Sequence, residues 1–252
     1  MGKVVLYEVR DRVAYVTLNR PEKLNAINGE VRDLLFDAFL DVRDNDGVWA
    51  ALLTGNGRAF STGHDLVEMA AGRAKGRPTV DLYQFIQELV KPTIVAVNGT
   101  CLAQGAGLAL SCDVRIASEK AEFGWPQVKR GIASVSGPTL LCDMIPFNIA
   151  LEMLYAGEPI SAEMALRWGM INRVVPHEKL VDEAETYVRK ILKNAPLAMR
   201  AIKEAAIRGR DMTMEDKVRF ADLLLSKIHE TEDAKEGLAA FREKRQPTWK
   251  GR

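Results

Sequence analysis

Arg58-Ala59-Phe60-Ser61-Thr62-Gly63-His64-Asp65-Leu66 and, further along, Asn98-Gly99-Thr100-Cys101-Leu102-Ala103-Gln104-Gly105-Ala106-Gly107 share one local plan. Each runs from an apolar strand pattern into a turn of small residues and then into a helix pattern. Such a turn leaves the following backbone N–H unshielded by a bulky neighbour. Two such donors converging on one carbonyl oxygen would make an oxyanion hole. Gly63 and Gly105 permit close approach of the backbone to a bound molecule. A helix starting near 104–105 would aim its positive end at the same oxygen. Glycines at 105 and 107 weaken that helix by about 1 kcal/mol each relative to alanine, a cost that fits either a ligand coming close or tight packing of the helix.

Outward from these segments, residues 4–9 and 13–19 read as paired strands joined by Arg10-Asp11-Arg12. Residues 27–44 form an amphipathic helix with Val31, Leu34, Leu35, Ala38 and Phe39 on one face. Residues 50–54 and 93–97 are short buried strands, and 114–117 is another. Asp65 and Glu68 have capping-box spacing at the start of a short helix. Residues 72–78 are basic and glycine-rich and read as a mobile loop, with a helix at 80–90 after it. Beyond Pro138, helical periodicity dominates, interrupted by a strand at 171–175. Helices are expected at 147–155, 161–167, 178–193, 196–208, 214–229 and 231–244.

The 252 residues suffice for one large domain or a domain with an appendage. Apolar content of 47% and charged content of 27% are ordinary for a soluble globular chain. A net charge of +1 without Lys/Arg clusters gives no nucleic-acid face. No stretch approaches the roughly 20 apolar residues that span a bilayer. Cys101, Cys112 and Cys142 form no CxxC pair and read as buried reduced thiols. The N-terminus starts directly with a strand pattern, and Leu6 spoils a myristoylation site. Together these point to the cytoplasm. A dinucleotide fingerprint at Gly105-Ala106-Gly107 fails, because position 110 is Leu and the preceding strand ends at Val97.

The chain resembles the crotonase (enoyl-CoA hydratase/isomerase) superfamily over nearly its whole length. Val16-Thr17-Leu18-Asn19-Arg20-Pro21 with Asn25-Ala26 is similar to that family's N-terminal strand and CoA loop. The two segments quoted first resemble its oxyanion segments. Phe123-Gly124-Trp125-Pro126-Gln127-Val128-Lys129-Arg130-Gly131-Ile132 resembles the segment that usually carries an acid. Gly157-Glu158-Pro159-Ile160-Ser161-Ala162, Gly169-Met170-Ile171-Asn172 and Val174-Val175-Pro176 match later landmarks in order.

The resemblance implies an α/β fold: the crotonase (ClpP-like) spiral of ββα units in two roughly perpendicular sheets. Residues 1–195 would form the spiral core with the acyl-CoA site, and residues 196–252 a helical trimerisation region. It implies an acyl-CoA thioester as substrate, homotrimers or hexamers, and no metal or redox cofactor beyond the substrate's coenzyme A. At the reacting end it assigns His64, Gln104, Gln127 and Ser134. Substrate contacts fall on Lys23, Leu24, Ala26, Ser61, Thr62, Gly63, Asp65, Leu66, Leu102, Gly105, Trp125, Pro126 and Ile132. Arg20, Lys244 and Lys250 are further phosphate neighbours.

The family pattern breaks at the acids. Its two hydratase glutamates fall on Gly107 and Gln127, and a third acid used by related enzymes falls on Val135. None of these residues takes a proton at neutral pH. Gln104 stands where a small residue is usual, so its side chain must turn aside. Gly63-His64-Asp65 is similar to methylmalonyl-CoA decarboxylase, whose tyrosine partner falls on Ser134. A decarboxylase, a thioester hydrolase or a non-catalytic acyl-CoA binder therefore stand beside the hydratase/isomerase. From the residues alone, Asp65 reads as a helix N-cap, Ser136 as a helix cap, His177 and His229 as surface groups, Trp125 as acyl-pocket wall or core, and His64 as a backbone donor whose imidazole either handles the substrate or only lines the pocket.

Overall fold

The computed structural model describes residues 3–72 and 77–252. The chain begins with β1 (Val5–Arg10), β2 (Val13–Leu18), α1 (Gly29–Asp44), β3 (Ala50–Gly55), β4 (Ala59–Ser61), α2 (Leu66–Ala70) and α3 (Thr79–Glu88). Then come β5 (Thr93–Val97), β6 (Thr100–Leu102), α4 (Gln104–Leu110), β7 (Val114–Ser118) and β8 (Glu122–Gly124). The rest is α5 (Phe147–Ala156), β9 (Ile160–Ser161), α6 (Ala162–Arg167), β10 (Arg173–Val175), α7 (Leu180–Ile191), α8 (Pro196–Arg208), α9 (Met214–Ile228) and α10 (Glu232–Glu243).

Six strands form one sheet in the order β1-β2-β3-β5-β7-β10, and four form a second in the order β4-β6-β8-β9. Three consecutive strand pairs, β3/β4, β5/β6 and β7/β8, each give one strand to each sheet. Each strand pairs in parallel with its counterpart from the next pair. The chain is thus a spiral, and its strand-to-strand corners stack. Asn98 and Gly99 fasten one corner to the previous one: Asn98 Nδ2 donates to Gly57 O at 2.7 Å. A Cβ on Gly99 would lie 2.1 Å from Arg58 O, so no larger residue fits.

Period two explains the mostly apolar central strands. In β5, Ile94 and Ala96 pack with Leu180, Ala184 and Val188 of α7. Val95 and Val97 face the other way, into the core shared with Leu35, Phe39 and Leu108. Strands covered on both faces lose the polar alternation of a half-exposed sheet.

Several expectations change. The second half contains β9 as well as β10; β9 is two residues long and pairs antiparallel with β8, too short for a periodic signal. Residues Gly137–Leu141 form a π-helical turn. Ser136 precedes it without capping it, and its Oγ instead accepts from Trp125 Nε1 at 3.1 Å. Asp65 does cap α2, accepting from Val67 N and Glu68 N. Glu68 does not close the box: it reaches across to the Gly29 N–H, 2.9 Å away at the start of α1. Cys101 and Cys112 are buried, whereas Cys142 is partly exposed. Residues 73–76 of the expected 72–78 loop lie outside the described residues.

Candidate active site

Beyond β4 the chain passes Gly63, at φ 90°, and reaches His64. A single bridge to Ile27 fixes it there. Ile27 N donates to Gly63 O at 2.7 Å, and Asp65 N donates to Ile27 O at 3.0 Å. In a parallel bridge these bonds flank the central residue, so His64's own N–H points the opposite way. Beyond β6, Ala103 adopts φ 54°, ψ −118°, a region disfavoured for any residue with a Cβ. Its ψ sets the direction of the next N–H, that of Gln104. As the first residue of α4, Gln104 has no intrahelical acceptor for that N–H. Among the described residues neither N–H is taken by another group of the chain. The two turns touch: a Cβ on Gly63 would lie 3.0 Å from Gln104 N and 2.8 Å from Ala103 Cβ.

His64 and Gln104 line a cavity of about 360 Å³. Of the other residues expected at the site, Lys23, Leu24, Ala26, Thr62, Asp65 and Leu66 form one side of its wall. Leu102, Pro126, Gln127 and Ile132 complete it. Five expected residues are not in that wall. Ser61 is buried and donates to Asn25 O at 2.8 Å. Gly63 is buried behind His64. A Cβ on Gly105 would sit 2.3 Å from Ser61 O. Trp125 is 1% exposed and belongs to the core, and Ser134 is bonded to Ser136 at 3.0 Å.

Met69, Ala103, Arg130 and Ala133 are wall residues that sequence reasoning missed. Met69 lies one turn after Leu66 on α2, a spacing that was available as a signal. Arg130 and Ala133 lie at the end of and just beyond the 3-10 turn Pro126–Arg130, where no periodicity helps.

The glycines at 105 and 107 answer to packing, not to ligand approach. A Cβ on Gly107 would lie 2.6 Å from Ser136 Cβ and 3.0 Å from Tyr83 Cε2. A glutamate has no room there. Gln104's side chain does turn aside, onto the Tyr83 hydroxyl.

Among the described residues the titratable ones in the wall are Lys23, His64, Asp65 and Arg130. Burial and the Arg32 charge hold the His64 imidazole below its usual pKa, against smaller opposing effects of the Ile27 backbone and Glu68. Half-buried His64 is therefore mostly neutral at pH 7 and able to accept a proton. Burial pushes the Asp65 carboxyl up, but the Glu68 N–H, the Arg20 guanidinium and the Val67 N–H outweigh it and hold it below its usual value. Arg20, expected near a phosphate, is turned inward to Asp65 and to Ala26 O. Lys250 pairs with Glu232. Gln127 Oε1 is buried with no partner among the described residues. Among the described residues no group of three or more His, Cys, Asp or Glu side chains is placed to hold a metal ion. No described helix is long and apolar enough to cross a membrane.

Residues 8–252 match the family model described as enoyl-CoA hydratase/isomerase. An (E)-benzylidenesuccinyl-CoA hydratase from Thauera aromatica is 40% identical over 257 residues, covering 98% of this chain and 99% of that protein. A carnitinyl-CoA dehydratase from Salmonella agona is 39% identical, covering 94% of each. Among solved structures, an enoyl-CoA hydratase from Mycobacterium marinum superposes with a TM-score of 0.94 at 36% identity, covering all of both chains.

Proposed function

The chain belongs to the enoyl-CoA hydratase/isomerase family, and from that premise we propose that it binds an acyl-CoA thioester and stabilises its enolate between the N–H groups of His64 and Gln104. The observation that carries this is the pair of unclaimed N–H donors at two touching turns on one cavity wall, one of them aimed by the strained Ala103. When water adds across Cα=Cβ, or a proton leaves Cα, negative charge develops on the thioester oxygen. Each preorganised donor there contributes on the order of 10²–10³-fold in rate.

A paired-carboxylate mechanism has no support in this wall. Asp65 is tied to Arg20 and to the start of α2, leaving His64 as the proton carrier. In this reading Gln127 Oε1 accepts a hydrogen bond from the attacking water. The water oxygen bonds to Cβ, its proton passes to the imidazole, and the imidazolium returns a proton to Cα. Ser134 supports Ser136 from behind the wall. Lys23 serves the coenzyme A end. The reading calls for no cofactor beyond the coenzyme A carried by the substrate. Burial pushes the Cys101 thiol well up and the Cys112 thiol to about 12, which suits inert thiols in a reducing cytoplasm.

The assembly we propose is a trimer, or a hexamer of paired trimers, built through residues 196–252, with residues 1–195 as the catalytic core. Helix α9 has no buried residue, and Val218 and Leu223 are among its exposed apolar side chains. On α10, Phe241 is 86% exposed. Sedimentation as a stable monomer at micromolar concentration overturns this assembly.

Calorimetry with acetyl-CoA against acetate tests the binding. Tight thioester binding beside none for the acid is expected, and equal affinity refutes the reading. Turnover on crotonyl-, malonyl- and aromatic enoyl-CoA thioesters then separates hydration from decarboxylation or hydrolysis. The aromatic arm is included because the Thauera relative's name specifies an aromatic acyl group.

A further inference from the structure

We propose that Tyr83 is a positioning residue for the Gln104 N–H, a role that rests on the enolate-stabilising reading above. Tyr83 lies on α3 and is 3% exposed. Its hydroxyl meets Gln104 twice, at the main-chain oxygen, 2.9 Å away, and at the side-chain Oε1. A hydroxyl has one hydrogen and two lone pairs. Both contacts are satisfied when the hydroxyl donates to the Gln104 carbonyl and the carboxamide is turned to donate its Nε2–H back. With the carboxamide so turned, one buried oxygen holds both the backbone and the side chain of Gln104.

That tether acts at the strained end of α4. Ala103, at φ 54° and ψ −118°, is strained, and such a conformation persists only where its surroundings over-determine it. Ala103 N donates to Gly124 O at 2.8 Å, and Ala103 O accepts from Gly107 N at 3.0 Å. Tyr83 adds the restraint on the next residue. It also keeps the Gln104 carboxamide from swinging into the cavity that Gln104 already lines. There the amide oxygen would compete with a thioester oxygen for the same two N–H donors. Gly107 makes the arrangement possible, because a side chain at 107 would press on the Tyr83 ring at Cε2, 3.0 Å from its Cβ. Residues 83, 104 and 107 therefore interlock: the glycine admits the ring, and the ring's hydroxyl holds a glutamine where bulk would otherwise obstruct.

The test uses acetoacetyl-CoA as probe, since a β-ketothioester converts to an enolate with its own ultraviolet band when donors stabilise the oxyanion. The bound enolate fraction is measured at one pH for the unsubstituted protein, Tyr83→Phe, Gln104→Ala and the double variant, with melting curves for each. Tyr83→Phe is expected to lower the enolate equilibrium about fivefold, the equivalent of one hydrogen bond. In the Gln104→Ala background the same change is expected to lower it by a smaller factor but still measurably, because the main-chain bond at 104 remains while the side-chain bond is gone. An unchanged enolate fraction in Tyr83→Phe overturns the proposal and leaves Tyr83 a packing residue; an equal loss in both backgrounds assigns the positioning to the main-chain bond alone. If Tyr83→Phe fails to fold, 3-fluorotyrosine replaces tyrosine throughout, strengthening the hydroxyl as a donor; no described tyrosine lines the cavity. An enolate fraction that does not rise then overturns the proposal. If the unsubstituted protein binds the probe without an enolate band, the oxyanion reading itself fails, and the role of Tyr83 with it.

Discussion

The Arg20 guanidinium lies 3.3 Å from the Asp65 carboxylate, both side chains largely buried. Arg20 also donates to Ala26 O at 2.7 Å. One cation thereby ties the loop carrying Lys23, Leu24 and Ala26 to the start of α2. These are two parts of the cavity wall, and the pair joins them beside the main-chain bonds of Ile27 and of Thr62 N to Leu24 O.

Asp65→Ala removes both the ion pair and the α2 cap. Loss of a cap alone costs about 0.5–2 kcal/mol. We expect Asp65→Ala to be destabilised by about 2 kcal/mol and Asp65→Asn by less, since asparagine still caps. Urea denaturation measures both, and equal stability of all three proteins contradicts the finding. The pH dependence follows from the lowered Asp65 pKa. Its contribution is present above the ordinary carboxylate value and is lost as pH falls through the lowered one. The stability gap between the unsubstituted protein and Asp65→Asn should therefore close below about pH 4.

His64 gives the opposite test in rate. Its pKa is lowered by burial and by Arg32, so the neutral base persists below the usual imidazole value of about 6.5. We expect kcat/KM on whichever thioester turns over to be flat near pH 7 and to fall on acidification below about pH 6.5. His64→Gln should keep the backbone donor yet lose about 10²–10⁴-fold, together with that acid limb. A full rate in His64→Gln removes the imidazole from the mechanism.

Gly107→Ala should destabilise the protein by about 1–3 kcal/mol through overpacking, although alanine favours a helix by about 1 kcal/mol. The added Cβ meets Ser136 at 2.6 Å. Gly107→Glu should not fold as a soluble protein, so an acid can be introduced only through Gln127→Glu, on the cavity wall. Thermal melting decides it: a Gly107→Ala protein more stable than the parent shows that the neighbours give way.

Asp233 is 2% exposed and accepts the N–H groups of Lys250 and Gly251 at 2.7 and 2.9 Å. Asp233→Ala orphans both donors, which costs about 1–3 kcal/mol, and frees the C-terminal tail. Limited trypsin digestion followed by mass measurement should show faster cleavage after Lys250. An unchanged digestion pattern means that other contacts, such as Trp249 Nε1 to Lys193 O at 2.7 Å, hold the tail unaided.

Much of the site was legible in the sequence because its backbone is local. The turn at Gly63 and the helix start at Gln104 are written in consecutive residues, and both His64 and Gln104 reach the cavity wall. Asp65 as a cap is equally local. Glu68 was misread because its partner, the Gly29 N–H, is 39 residues away. Ser134 was placed at the substrate, and Trp125 left between pocket wall and core, by order in the chain, whereas depth in the fold is not a property of order.

The sequence by itself determined the periods of the helices and strands, the two strand–turn–helix segments and the family to which the chain belongs. The first two are encoded in neighbouring residues, where sterics and apolar spacing act directly; the family is carried by the resemblance of motifs in order along the chain. Only the tertiary structure decided why 105 and 107 are glycine, where the Gln104 side chain goes and what holds Arg20. Those answers depend on Ser61, Ser136, Tyr83 and Asp65 arriving from distant turns of the spiral. Close packing is a relation between surfaces that meet only after the chain has folded.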